Sequence, residues 1–448
     1  MINNTKPLNF DMIAIILASI IPFLITGPFF PDLIVSVSSL FFLYYVFTKK
    51  DYYYFSVKPI VLFFIFCLYC ISISIFIADD KMLSFKSSLF YFRVGVFSCL
   101  IWYLIDKNKK ILTYFYYALI LSFSALVIDG FIQYITGQNI LGLPAGDHYR
   151  ISSFFGDELV MGSYLSRLLP LFYALYFVKS KQKFEIYFMG LLFISVNLLI
   201  FISGERTAFL FLILSSLIII ILIKGHKYFK LTILAVSIIL IIFITQNSPK
   251  LSYRMFVSPA VELGYYGKVE LEKKNKLSEK IDLSLKQQDS DESKKLIIFS
   301  RGHDTLIRTA YNMFKDQPLF GHGPKMFRVK CKDKKYATGE SSCMTHPHNF
   351  YVQLLAETGI IGFLFYFSSL LYVLFAALRQ FKSVILSQKE FLTNYQVCLL
   401  AGIFISVWPI SPNGNFFNNW LMITYSLPVG FYLQSIYSKN KVIEEKKI

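Results

Sequence analysis

The amino-acid sequence predicts an all-α integral membrane protein of about 12 transmembrane helices, with one large external loop containing amphipathic helices. Three observations lead there. Hydrophobic residues fill 55% of the 448 positions, aromatics fill 18%, and the mean hydropathy is +0.53, an apolar share above that of soluble domains. Twelve apolar runs are long enough for a hydrocarbon core about 30 Å thick. The runs are also too long and too evenly apolar for barrel strands, and lipid satisfies no free backbone group, so each must close its hydrogen bonds as a helix.

In order, the runs fall at 10–29, 32–47, 60–77, 88–105, 111–135, 159–178, 185–202, 207–223, 230–246, 349–378, 393–410 and 417–437. Pro22 places a kink in the first, because proline lacks the N–H that continues a helix. Met1 to Asn9 holds one lysine and leads into a full span without a small-residue cleavage signature, so this run reads as a retained signal anchor. The chain thus divides into nine helices over 1–246, the large loop 247–347, three helices over 348–438 and a tail, 439–448.

A formal charge of +17 raises nucleic acid as a partner, but the basic residues sit in short clusters between apolar runs and form no stripe. Their placement sets topology instead. Alternate loops carry Lys49, Lys50 and Lys58; Lys107, Lys109 and Lys110; Lys179, Lys181 and Lys183; Lys224, Lys227 and Lys230; and Arg379, Lys382 and Lys389. The short loops on the other side hold Lys81, Lys86, Arg150 and Arg206. By the positive-inside rule the first set is cytoplasmic, which makes both termini cytoplasmic and the large loop external.

Four of the six cysteines, Cys67, Cys70, Cys99 and Cys398, lie within apolar runs and read as small buried hydrophobes. Cys331 and Cys343 share the external loop, where an oxidising compartment permits a disulfide worth about 3 kcal/mol by loop entropy. In the same loop, Lys268 to Lys295 alternates charges with few apolar residues and reads as a solvated stretch. From Arg301 to Gln317, Leu306, Ala310, Met313 and Phe314 recur at helical spacing, so an amphipathic helix is expected, with Arg301 and Arg308 near its start and Pro318 ending it. The run from Pro318 to Pro324 is a chain reversal in which His322 reads as a turn residue. No metal ligand set is expected: His346 and His348 are two apart, no HExxH is present, and the Cys67 and Cys70 pair lies within an apolar run.

The candidate chemistry lies where this loop enters the membrane. His346, Pro347, His348 and Asn349 precede a long apolar run and put a titratable base at the membrane surface. Arg206, in the short turn from Ser203 to Ala208, either snorkels to headgroup phosphate or forms a bidentate clamp for a pyrophosphate. Arg93 and Arg167 lie deeper, where an ionised side chain costs at least about 2.5 kcal/mol without a partner; Asp157, Glu158 and Glu357 are the candidates. On one straight helix Glu357 lies about 13 Å below His348 at 1.5 Å per residue, so a structural ion pair is its expected role. The turn from Ser411 to Asn419 reads as a hairpin, with sugar hydroxyls as the alternative ligand.

These residues together resemble the O-antigen ligase and polymerase superfamily of multi-spanning bacterial membrane enzymes, which move glycans from undecaprenyl pyrophosphate. The family's histidine, small polar residue and Gly-x-x-Gly are met by His348, Asn349, Gly359 and Gly362. Its outer-turn arginine before Thr-Ala is met by Arg206, and its arginine opening an amphipathic helix that ends in Pro and Gly-x-Gly is met by Arg301 through Gly323. A tryptophan common four residues after that arginine is replaced here by Thr305. The resemblance spans about residues 159–430.

It implies a metal-independent, cofactor-free, inverting glycosyltransferase in the bacterial inner membrane, with a periplasmic loop and active site. Arg206 and Arg301 would hold the pyrophosphate of the undecaprenyl pyrophosphate-linked donor, and His348 would take the proton of the attacking hydroxyl, with His346 as the alternative base. Asn349, Arg308 and His346 would contact substrate; Gly359, Gly362, Glu357, Cys331 and Cys343 would be structural. Activity would then fall below an ordinary histidine pKa near 6.5. The reading is an O-antigen ligase with the lipid A core as acceptor. A polymerase with a lipid-linked repeat as acceptor and a protein glycosyltransferase are the enzymatic alternatives. A lipid-linked glycan transporter is the alternative of another class, against which stand the lack of a two-half repeat and the clustering of site residues on the outer face.

Overall fold

A computed structural model of the chain describes residues 10–146, 150–179, 183–225, 227–262, 298–386, 389–417 and 420–438, with Arg301, Trp420 and Leu421 described by their backbone alone. The charged stretch from Lys268 to Lys295 and the segment from Met1 to Asn9 lie outside the described residues. Among those described there are helices, two isolated antiparallel bridges near Gln138 and Arg150, and no strand. Before the large loop come α1 (Phe10–Ala18), α2 (Ile20–Thr26), α3 (Phe29–Lys49), α4 (Lys58–Phe76), α5 (Lys81–Leu89), α6 (Arg93–Lys107), α7 (Lys110–Thr136), α8 (Met161–Val178), α9 (Lys183–Ile202), α10 (Arg206–Leu222) and α11 (Lys227–Asn247). Short helices α12 (Pro249–Ser252) and α13 (Ser258–Glu262) flank a π turn, Tyr253–Val257. Then follow α14 (Arg301–Asp316), α15 (Phe327–Lys330), α16 (Phe350–Ile385), α17 (Asn394–Ser406) and α18 (Trp420–Tyr437).

Seven stretches are long and apolar enough to cross a membrane: α3, α4, α5 with α6, α7, α9, α11 and α16. The other predicted runs hold helices as well, among them the shorter apolar Phe10–Thr26, Arg206–Leu222 and Asn394–Ser406. The first run breaks at Ser19 and not at Pro22, which leaves the proline in the first turn of α2, where a missing N–H costs nothing.

At the centre stands α8, buried continuously from Tyr164 to Phe177, with α10 and α17 against it and α18 running between it and α6. Aromatics fill the contacts, with Tyr173 stacked on Phe193 of α9 and Phe123 of α7 edge-on to Phe172. Arg93 is paired with Asp32 of α3, at 3.1 and 2.6 Å, and with the Ser36 hydroxyl at 2.7 Å. Asp32 had not been among the acidic partners expected for it; α3 and α6 pack side by side, which brings this carboxylate within reach.

The segment between α13 and α16 builds its own small core. Leu306, Ala310 and Met313 on one face of α14 pack with Phe327, Cys331 and Tyr336, and with Ala356 of α16. Cys331 and Cys343 are disulfide-bonded. His322 is buried, and its Nε2 lies 3.0 Å from the Met313 carbonyl at the end of α14, so the turn residue also caps that helix.

The helix expected over 349–378 is broken. Gly359 has φ 63° and ψ −168°, so Phe350 to Thr358 forms one helical piece and Ile360 onward another. The turn from Pro318 to Gly323 runs against the break. The His322 N–H donates to the Ala356 carbonyl at 3.0 Å, Gly323 N–H to Glu357 at 2.8 Å, and Ile360 N–H to Pro318 at 2.8 Å. The Thr358 carbonyl accepts from the Tyr69 hydroxyl of α4 at 2.7 Å. Glu357 lies on the first helical piece, two residues before the break. Its carboxylate accepts from Phe327 N–H at 3.1 Å and from the Gln353 amide at 3.0 Å, an anchor for α15 in place of the expected arginine pair.

A Cβ at Gly359 would stand 2.3 Å from the Leu319 carbonyl oxygen, and one at Gly362 would stand 2.0 Å from the Thr358 hydroxyl. Replacing Gly359 by Ala combines a disfavoured left-handed backbone with a backbone clash, and should cost at least about 2 kcal/mol. Thermal unfolding in detergent should show a clear drop in Tm for Gly359→Ala; an unchanged Tm would contradict the tight approach described.

Candidate active site

His348 sits at φ 57°, in the left-handed region, one residue before α16. Two features hold it there. Asn349 caps the helix, its Oδ1 accepting from Tyr351 and Val352 N–H at 3.0 and 3.1 Å and its Nδ2 donating to the Pro409 and Ser411 carbonyls. The His348 carbonyl accepts from Asn413 N–H at 2.7 Å. With its amide thus committed on both sides, Asn349 serves as a cap, and a substrate contact through it would have to displace these bonds.

Three imidazoles meet at this point. The His346 ring centroid is 4.2 Å from that of His348, and His303 stands edge-on to His348 at 5.3 Å. His303 was not singled out by the sequence reading; its signal was its place in the first turn of the amphipathic helix, where Ser300 caps the N-terminus and bonds its Nδ1 at 2.7 Å. All three side chains are half-buried. Burial, then the neighbouring His303, hold His348 down to about 4, with the Asn413 backbone pulling upward. Burial, then His348, hold His346 at about 3, with Arg328 and His303 adding to the effect. Both rings therefore titrate below the 6.5 of an ordinary histidine, and His348 is neutral at physiological pH.

A second group surrounds the α9–α10 turn. Glu205 accepts from Gly162 N–H at 2.6 Å, Ser163 N–H at 3.1 Å and the Ser163 hydroxyl at 2.7 Å, capping α8 with a carboxylate where the helix dipole favours one. Arg206 donates from Nε to the Arg254 carbonyl at 3.0 Å and from Nη2 to the Ser258 hydroxyl at 2.7 Å. In return Arg254 Nε donates to the Gly204 carbonyl at 2.9 Å. Arg150 reaches the Leu159 carbonyl at 2.8 Å, and burial holds its guanidinium below the ordinary value, with Glu205 opposing and Arg206 adding. Three arginines thus meet at the turn that carries Glu205, and Arg150 acts on its charge. Arg150, in one of the short loops with few cations, and Arg254, near the start of the large loop, were missed as site residues.

Arg167 of α8 joins the two groups. Its Nη2 donates to Asn413 Oδ1 at 3.1 Å, and its guanidinium lies between the rings of Phe211, 4.5 Å away, and Tyr425, 3.9 Å away. Among the described residues no carboxylate bonds it, which corrects the expectation of Asp157, Glu158 or Glu357 as its partner. The turn that includes Asn413 is a strap: Asn415 Oδ1 accepts from Gln353 and Phe416 N–H donates to it, both at 2.9 Å. Arg308 pairs with Asp304 one turn earlier, at 2.6 Å. Arg301 opens α14, two residues before His303.

Residues 190–367 match the family model described as O-antigen ligase. This stretch is shorter than the 159–430 of the resemblance read from the sequence, and it contains Arg206, Arg301, His346, His348, Asn349, Gly359 and Gly362. Over it, the resemblance to the O-antigen ligase and polymerase superfamily is borne out. No curated protein matches the chain.

The two depressed histidines make stability depend on pH. Folded His346 and His348 titrate below the unfolded value of about 6.5, so between these limits the unfolded chain binds more protons. Their contribution is full above pH 6.5 and is lost as pH falls toward 4. Unfolding in detergent should show Tm falling across this window, with a shallower slope for His346→Gln; equal slopes would contradict the burial of this ring.

Proposed function

We propose that the chain is an O-antigen ligase, an inverting, metal-independent glycosyltransferase of the bacterial inner membrane. It moves a glycan from undecaprenyl pyrophosphate to the lipid A core oligosaccharide at the periplasmic face. The observation that carries this reading is a half-buried imidazole, His348, neutral down to about pH 4, in a family-matched stretch that also holds Arg206 and Arg301.

The reaction needs a base for the attacking hydroxyl and cations for the leaving pyrophosphate. A hydroxyl oxygen of the acceptor sugar attacks the anomeric carbon of the donor and its proton passes to His348. The bond from that carbon to the phosphate oxygen breaks with its electron pair on oxygen, and undecaprenyl pyrophosphate leaves. Attack opposite the leaving group inverts the anomeric centre. Arg206 and Arg301 hold the developing negative charge, with Arg150 and Arg254 strengthening the field around Arg206. His346 is the alternative base, although its lower basicity makes it the weaker proton acceptor. Arg308 reaches substrate only if it leaves Asp304. The lysine-rich loops face the cytoplasm in this reading, and both termini lie there.

The test is the lipopolysaccharide pattern of a deletion strain complemented with wild type or His348→Ala. Wild type should restore long chains on core. The variant should leave bare core with polymer accumulating on undecaprenyl pyrophosphate, a loss of about 10²–10⁴-fold in transfer for a missing general base. Core carrying a single repeat would assign the polymerase reaction instead, and glycan trapped on the cytoplasmic side would assign transport.

The pH profile of purified enzyme is a second check. The acid limb of kcat/KM reports the free enzyme and should fall near pH 4. The limb of kcat should lie higher, since a bound pyrophosphate favours the protonated ring. A kcat/KM limb near 6.5 would contradict a base buried among other histidines.

A further inference from the structure

Arg167 is 3% exposed, and its Nε and Nη1 have no hydrogen-bond partner among the described residues. Six residues into α8, it lies about 9 Å below the helix start at 1.5 Å per residue. A cation at such a depth is costly unless it meets an anion or water. The nearby carboxylate, Glu205, has its oxygens occupied by Gly162 and Ser163. The faces of the guanidinium are covered by Phe211 and Tyr425, which fixes its plane and leaves only its edges for polar contact. One edge already reaches Asn413, whose N–H holds the His348 carbonyl. The side chain is therefore preorganised, desolvated and short of an acceptor, at a point tied to the proposed base by two hydrogen bonds.

We propose that Arg167 binds a phosphate oxygen of the lipid-linked pyrophosphate, making it a third arginine of the donor site besides Arg206 and Arg301. This rests on the transfer reading above. A guanidinium edge matches the spacing of two phosphate oxygens, and a charge-assisted bond in a dry site is about twice as strong as a neutral one. Its link through Asn413 also means that donor binding bears directly on the loop holding His348.

The experiment uses the full chain purified in uncharged detergent, as wild type, Arg167→Met and Arg167→Lys. Thermal unfolding is followed against added undecaprenyl pyrophosphate and, separately, phosphatidylglycerol. Undecaprenyl pyrophosphate should stabilise wild type by mass action and bind Arg167→Met at least about tenfold more weakly, with Arg167→Lys between them because it keeps charge but loses the fork. Without ligand, Arg167→Met should unfold no lower than wild type, since it removes an uncompensated buried charge. Equal stabilisation of wild type and both variants would overturn the inference and leave the transfer reading intact. A lower ligand-free Tm with undiminished binding, in either variant, would mark Arg167 as structural and overturn it too. If phosphatidylglycerol reproduces the Arg167-dependent stabilisation, the phosphate is a headgroup and the donor assignment fails. If undecaprenyl pyrophosphate does not stabilise wild type, the transfer reading itself fails.

Discussion

The break in α16 leaves backbone donors and acceptors where lipid offers them nothing, and the rest of the outer structure depends on how they are satisfied. The turn from Pro318 to Gly323 supplies three of the bonds, and Tyr69 supplies another. Because the contact is backbone to backbone, it demands glycine on both sides: a Cβ at Gly321 would lie 2.5 Å from Gly359 N. That joint fastens the disulfide-bonded segment to the bundle. It also sets the direction of the helical piece that begins after His348, and brings α14, with His303, against it.

Much of the architecture is legible in the chain because apolar periodicity is a strong, local signal. A helix lies under each apolar run, and the amphipathic stretch from Arg301 ends one residue short of the place its sequence indicates. The break at Gly359 was not legible, since its cause lies forty residues earlier in the Pro318 turn and an isolated glycine in an apolar run reads as a packing contact. The partner of Arg93 was missed for a related reason. Asp32 stands at the start of an apolar helix and looks like an end-of-span residue until α3 and α6 are side by side.

The candidate site divides in the same way. His348, Arg206 and Arg301 stand in motifs with sequence spacing, so they could be named. His303, Arg150, Arg254 and Asn413 come from four separate segments and acquire meaning only through proximity. Glu205, beside Arg206 in the sequence, shows its use only in the fold, where it caps α8 and faces Arg150.

The order of the joint along the chain has a bearing on how the protein is made. The Pro318 turn precedes the broken helix, so during synthesis the segment from Arg301 to Cys343 emerges first and can fold before α16 leaves the insertion machinery. The interrupted helix then meets a template already waiting for it. Its unpaired backbone groups need never be presented to the bilayer, and the seating of the broken helix becomes conditional on that segment having folded.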